Sequence, residues 1–127
     1  FNNLLTEGKD LMNLNTKSNG KVDIVCLPER LTMANSAAAR HAIRDLVDVR
    51  HALLVLDMGK LEFVDSSGLS VLVSAVKAAR RAGGDVVLCE LRPQVQALVE
   101  LTRLHELFEI FVDEQAATAH LDARAAA

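Results

Sequence analysis

The amino-acid sequence predicts an α/β domain, with a mixed β-sheet of four to five strands and about four α-helices packed against it. Three observations lead there. Val22 to Leu27, Ala52 to Asp57 and Asp85 to Cys89 are short, mostly apolar runs, the pattern of strands buried on both faces. Between them lie Ala-rich or amphipathic stretches with apolar residues at three- and four-residue spacing, the pattern of helices covering a sheet. Ser18-Asn19-Gly20-Lys21 supplies an Asn-Gly turn signal between two strand candidates, which adds an antiparallel pair. Helix and strand in alternation then call for parallel strands joined by right-handed crossovers.

The elements follow in order. The sequence begins with Phe1 rather than Met, so residues 1–17 read as an N-terminal extension that leads into the first strand. That extension is processed, trimmed or partly of expression-vector origin, with Met12 as a candidate native start. Met12 to Lys17 is a weak strand and Val22 to Leu27 a stronger one, together a hairpin, ended by Pro28-Glu29-Arg30. Thr32 to Val47 is Ala-rich and reads as a helix with Ala38, Ile43, Leu46 and Val47 inward, capped by Asn35 or Ser36 or carrying them in its first turn. The Ala52–Asp57 strand comes next. Leu69, Leu72, Val73 and Val76 then mark the inner face of a helix of about four turns, with Ser70, Ser74, Lys77, Arg80 and Arg81 outside and Gly83-Gly84 at its stop. After the Asp85–Cys89 strand, Pro93 opens a helix that turns Val95, Leu98, Val99 and Leu101 inward. Leu107 to Val112 is a last strand, and Asp113 caps a helix from about Glu114 to Leu121. One domain spans 18–121, and 122–127 read as a disordered tail.

Composition narrows the function. The 127 residues hold no Trp or Tyr and only four Phe, so bases have no stacking platform. A net charge of −3 offers no broad basic surface for a phosphate backbone, and nucleic acid is not an expected partner. No apolar run reaches the roughly 18 to 20 residues of a membrane span, and no signal-peptide pattern is present, so membrane insertion is not expected either. Cys26 and Cys89 fall inside strands and read as buried and reduced, which points to the cytoplasm.

Catalytic patterns fit poorly. The serines after Asp65 are not in a G-x-S-x-G elbow, and His41, His51, His105 and His120 are scattered without triad or metal-ligand spacing. Gly83-Gly84 lacks the Lys-Ser/Thr of a phosphate loop and precedes a strand. Asp57, Glu62 and Asp65 are close in sequence, but carboxylates on a loop are more often solvated or capping than metal ligands. Lys77, Arg80 and Arg81 complement the helix C-terminus. No enzyme and no cofactor are therefore expected.

What stands out is Phe63-Val64-Asp65-Ser66-Ser67-Gly68-Leu69, where a strand-side loop opens into a helix. Asp65 and Ser66 stand where an N-cap belongs, beside backbone N–H groups that lack helical partners. A serine there is accessible, and a phosphate on it would be electrostatically tolerated. Capping alone explains both residues equally well.

Read together, Leu53-Leu54-Val55-Leu56-Asp57, Val64-Asp65-Ser66-Ser67-Gly68-Leu69 and Gly83-Gly84-Asp85-Val86-Val87-Leu88-Cys89 resemble STAS domains of the anti-sigma factor antagonists. The likeness continues through Leu91 to Leu98, Leu101 to Leu104 and Leu107 to Phe111, so it covers about Val22 to Ala117. The resemblance implies the STAS fold, with Ser66 as phosphate acceptor and Asp65, Ser67 and Gly68 shaping its loop and helix cap. It implies two partners, an anti-sigma factor that is a serine kinase of the histidine-kinase-like ATPase fold and a PP2C-type phosphatase. ATP and Mg²⁺ would belong to the kinase. The unphosphorylated form would bind the kinase and release a sigma factor. Gly68 would permit close approach, either by a partner's backbone or inside the domain. Partner contacts would include Thr32, Met33, Asn35 and Leu69, with one departure: Thr32 stands where many members have Asp. The alternatives are a non-catalytic STAS subunit or excised regulatory domain of a membrane transporter or lipid-transport assembly, and a nucleotide or small-ligand sensor using the helix N-terminus.

Overall fold

A computed structural model describes residues 14–48 and 52–126 of the chain. Met12 and most of the N-terminal extension lie outside the described residues. The first hairpin pairs β1 (Asn15–Asn19) with β2 (Val22–Cys26), and the Asn19–Val22 register leaves Gly20-Lys21 as a two-residue loop. The turn therefore sits one residue later than the Asn-Gly pair suggests, and the strand reaches past Lys17. β1 is polar and exposed along its whole length, a composition that discourages further pairing at a sheet edge.

The helix expected from Thr32 starts four residues later, as α1 (Ser36–Asp48). Local side-chain bonding is the reason. Asn35 Oδ1 accepts from Thr32 N at 2.9 Å, Asn35 Nδ2 donates to Arg30 O at 2.9 Å, and Thr32 Oγ1 accepts from Ala34 N at 3.2 Å. Short polar side chains that satisfy nearby backbone groups compete with the helix ladder, and here they fold Thr32–Asn35 into a turn. Just before that turn, β3 (Arg30–Leu31) pairs in parallel with β5 (Phe63–Val64) as a separate two-stranded ribbon. Two-residue strands carry too little periodicity to be read from sequence.

The main sheet has five strands in the order β1-β2-β4-β6-β7, with β4 at Leu53–Asp57, β6 at Asp85–Cys89 and β7 at Ile110–Phe111. All neighbours but β1 and β2 run parallel. Alternate residues of the central strands separate two cores. Val25, Leu54, Leu56, Val86 and Leu88 pack with α1, α2 (Ser66–Arg81) and α3 (Pro93–Leu101). Val22, Ile24, Val55, Val87 and Cys89 pack with Ala117 and Leu121 of α4 (Glu114–Ala126).

In α2 the inward stripe is Gly68, Val71, Leu72, Ala75, Val76 and Ala79, with Leu69 and Val73 half-buried beside it. It is rotated from the stripe of larger residues seen in the sequence, because small residues let the helix backbone approach the sheet. Gly83, at φ 91°, takes the left-handed position after the helix end at Ala82. In α3, Val95 and Val99 are buried, whereas Leu101 is 80% exposed rather than inward. The expected Leu107–Val112 strand shrinks to Ile110–Phe111, preceded by a 3₁₀ turn at Leu104–Glu106. Phe108 turns into the core and Val112 is 79% exposed.

The C-terminal segment 122–127, expected to be disordered, continues α4 as far as Ala126. Asp113 Oδ1 caps the helix by accepting from Ala116 N at 2.9 Å, as expected. At the far end Arg124 donates to Asp85 Oδ2 at 2.6 Å. Asp85 Oδ1 also accepts from Arg80 Nε at 3.0 Å and from Val86 N at 2.8 Å. A nearly buried carboxylate at the start of β6 thus holds one arginine from each side of the sheet. Removing it leaves two half-exposed guanidinium groups without their acceptor. Asp85→Ala is expected to lower the unfolding free energy by about 2 kcal/mol, and Arg124→Ala by about 1 kcal/mol with loss of helical signal from the end of α4. Urea unfolding followed by far-ultraviolet circular dichroism checks both.

Candidate functional site

The first turn of α2 is pressed against β3. A Cβ placed on Gly68 would lie 2.1 Å from Leu31 O and 2.5 Å from Val64 Cγ2, so only glycine fits. Leu31 O also accepts from Asp65 N at 3.3 Å. The close approach that Gly68 permits is to the chain's own backbone, not to a partner.

Asp65 is extended (φ −103°, ψ −172°) and is the N-cap of α2. Its Oδ1 accepts from Gly68 N at 2.9 Å, and its Oδ2 accepts from Met33 N at 3.0 Å. The Gly68 N–H, then those of Met33 and Ser67, hold the carboxyl below the usual aspartate range, so it stays ionised at neutral pH. One carboxylate therefore ties the head of α2 to the turn before α1. Because Asp65 takes the cap, Ser66 is the first residue of the helix and is exposed. Ser67 is half-buried and its carbonyl accepts from Ser70 Oγ at 2.7 Å.

Of the residues expected to meet a partner, Met33 does stand in solvent, at 78% exposure. Thr32 and Asn35 are half-buried and spend their polar atoms on shaping the turn, and Leu69 is half-buried against the core. The sequence reading missed Phe63, which is 47% exposed with the Arg30 guanidinium 4.6 Å above its ring. The signal was available: Val64 is apolar and inward, and strand alternation sends its neighbour out. Also missed was Arg40, whose Nη2 donates to Ser70 Oγ at 3.0 Å across the α1–α2 groove. Ser66 thus lies on a surface with apolar side chains presented by two loops and an arginine from α1.

Chemistry of other kinds is less well served. His41 pairs with Asp45 at 3.5 Å and His120 with Glu109 at 3.0 Å, so neither is engaged with Ser66 as a base. Asp57, Glu62 and Asp65 do not gather into a cation site. Asp57 instead meets Glu114 and Cys26, whose donor atoms all lie within 4.8 Å of one another. These three are the described residues with ligand geometry for a metal. A positive charge is already present beside them, since Lys17 Nζ sits 3.0 Å from Glu114 Oε1, and below about pH 6 Asp57 holds a proton toward Glu114. Burial, then the hydrogen bond to Glu114, pushes Asp57 up to about 6, while that same bond and Lys17 hold Glu114 low. Burial raises both cysteine thiols, and both are free. No helix among the described residues is long and apolar enough to cross a membrane.

Comparison with known proteins agrees with this architecture. The family model described as STAS domain matches residues 13–117. BtrV of Bordetella bronchiseptica, named as an anti-sigma factor antagonist, is 32% identical over 96 residues, which is 76% of this chain and 83% of that protein. The crystal structure of TM1081 from Thermotoga maritima superposes with a TM-score of 0.81 at 21% identity, covering 87% of this chain and 95% of the other. A sulfate transporter family protein from Wolinella succinogenes superposes with a TM-score of 0.76 at 12% identity, covering 87% and 93%.

Two outcomes test the geometry. Gly68→Ala forces α2 off β3 and is expected to cost about 1–3 kcal/mol of stability, read by urea unfolding, with amide shifts at Leu31 and Asp65. Asp57 retains a proton in the folded state at pH values where the unfolded chain, near 3.8, has lost it. Its contribution is present at low pH and lost as pH rises through about 6. Glu114, depressed, works the opposite way below its ordinary 4.5. The Tm of the wild type should therefore decline between about pH 4.5 and 6.5 relative to Asp57→Asn, and parallel Tm profiles would remove the shared proton.

Proposed function

The chain belongs to the STAS domain family, and from that membership we propose that it acts as an anti-sigma factor antagonist whose docking surface is switched by phosphorylation of Ser66. The observation that carries this reading is the double use of Asp65. By bonding Met33 N and Gly68 N together, it sets the exposed Ser66 hydroxyl on one surface with Met33, and Phe63 lies on the adjoining strand. Exposed apolar side chains beside a hydroxyl suit protein docking. A modification at Ser66 changes that surface without disturbing the core.

In this cycle the unphosphorylated protein docks on an anti-sigma factor that is also a serine kinase of the histidine-kinase-like ATPase fold. The kinase moves the terminal phosphoryl group of ATP to Ser66 Oγ, with ADP leaving and the hydroxyl proton released. A PP2C-type phosphatase hydrolyses the ester and restores the hydroxyl. The protein itself is substrate and switch, and catalysis belongs to its partners. Phosphate adds about −1.5 to −2 charges. Against a partner packed on Met33 and Phe63 it brings like-charge repulsion and desolvation. A loss of about 1.4 kcal/mol already lowers affinity tenfold.

Two facts support this reading over a transporter-associated role. BtrV, a relative at 32% identity, carries the antagonist name, and the Asp-Ser-Ser-Gly sequence is intact with Ser66 exposed where the switch needs it. The Wolinella protein shares the fold at 12% identity, so the fold by itself does not discriminate. With Ser66→Ala and Ser66→Asp proteins as parallel baits in lysate of the source cell, a histidine-kinase-like ATPase is expected with the Ala bait and at least tenfold less with the Asp bait. Equal recovery on both, or recovery of membrane transport proteins by both, would overturn the switch.

A further inference from the structure

Ser66 and Ser70 lie four residues apart in α2 and so share a face, with β-carbons about 5–6 Å apart. Arg40 reaches that face from α1, donating through Nη2 to Ser70 Oγ, while the same hydroxyl donates to Ser67 O. A guanidinium carries five donors in a rigid fork, and a serine hydroxyl is a weak, neutral acceptor for one of them. The surrounding charges leave Arg40 well placed. Asp65 is committed to the backbone of Gly68 and Met33, Arg30 is stacked on Phe63, and His41 on the next position of α1 pairs with Asp45. Arg44, one turn further along α1, lines the groove beside Ser74.

We propose that Arg40 is the built-in counter-charge for a phosphoryl group on Ser66: it exchanges the Ser70 hydroxyl for the phosphate and holds that group across the α1–α2 groove. The inference rests on Ser66 being the phosphoacceptor. The exchange replaces a bond to a neutral hydroxyl by a charge-assisted one, requiring only a turn-length shift of a flexible side chain. Its consequence is a regulated orientation. The phosphate lies toward α1 instead of projecting from the loop, and the two states of the surface differ in the position of a cation as well as in added negative charge. A phosphatase must then withdraw the phosphate from Arg40, which makes Arg40 a positioning residue for the return step of the cycle.

The test installs phosphoserine at position 66 by genetic encoding and titrates it by ³¹P NMR in the wild type, Arg40→Gln, Arg40→Lys and Arg44→Gln. Gln keeps the length of the stem and guards against a loss of packing. The second phosphate ionisation, near 6 in a free phosphoserine, is expected about half a unit lower in the wild type than in Arg40→Gln. Arg40→Lys should recover most of the difference and Arg44→Gln should match the wild type, and 1 M salt should shrink the gap. Superimposable curves for the wild type and Arg40→Gln would overturn the proposal, as would an equal shift in Arg44→Gln, which would reveal only the general field of α1. Because the phosphoserine is genetically encoded, these curves report on Arg40 whether or not a kinase acts on Ser66, and failure of the switch itself appears only in the bait comparison.

Discussion

Everything at the functional end of this molecule depends on the Asp65 carboxylate accepting two backbone N–H groups from two different parts of the chain. A helix N-cap uses one oxygen; here the other is spent 32 residues away in sequence, on Met33 N. The turn that carries Met33 has no long strand to anchor it, since β3 and β5 contribute two residues each. Asp65 supplies that anchor, Gly68 supplies the room for it, and the local bonding of Thr32 and Asn35 gives the turn its shape. A carboxylate suits this position because the charge strengthens both bonds and because the donating N–H groups keep it ionised.

How much of this was legible in the sequence follows from the physical range of each signal. The strands β2, β4 and β6 were plain because they are buried on both faces and therefore apolar but for one aspartate each, and α2 was plain because its period runs for four turns. The start of α1 was misplaced because alanines favour a helix without specifying where it begins, and the decision fell to Asn35, which bonds backwards to Arg30 O. The end of α4 was misjudged because no apolar residue larger than alanine lies beyond Leu121; what holds it is Arg124 on Asp85, a contact across 39 residues. At the site, Ser66 and Asp65 were visible as a local motif, and Met33 through family resemblance. Phe63 and Arg40 were missed, since the first sits on a two-residue strand and the second acts from another helix.

Charge is used sparingly inside this fold and always with partners. Asp85, nearly buried at the start of β6, meets two arginines and a backbone N–H. Asp57 and Glu114 pose a different problem, two acids brought together at the end of β4 and the head of α4, where Lys17 of β1 pairs with Glu114 at 3.0 Å. Both arrangements fasten α4 to the sheet, one at each end. Neither is needed at the Ser66 surface, which leaves that surface free to change charge without disturbing the fold.

That division has a consequence for how the molecule comes apart. On the α1–α2 side the sheet is sealed by long stripes of interlocking side chains, whereas on the other side α4 buries chiefly Ala117, Thr118 and Leu121 and is held otherwise by polar pairs at Glu114, His120 and Arg124. The free energy needed to lift α4 is correspondingly smaller than that for global unfolding, so the two faces form separate cooperative units. The partially opened species retains an intact Ser66 surface yet bares Val22, Ile24, Val55 and Val87, a strip of strand faces that is attractive to proteases, chaperones and other copies of the chain. The face most readily opened is therefore the one that carries α4, on the other side of the sheet from Ser66.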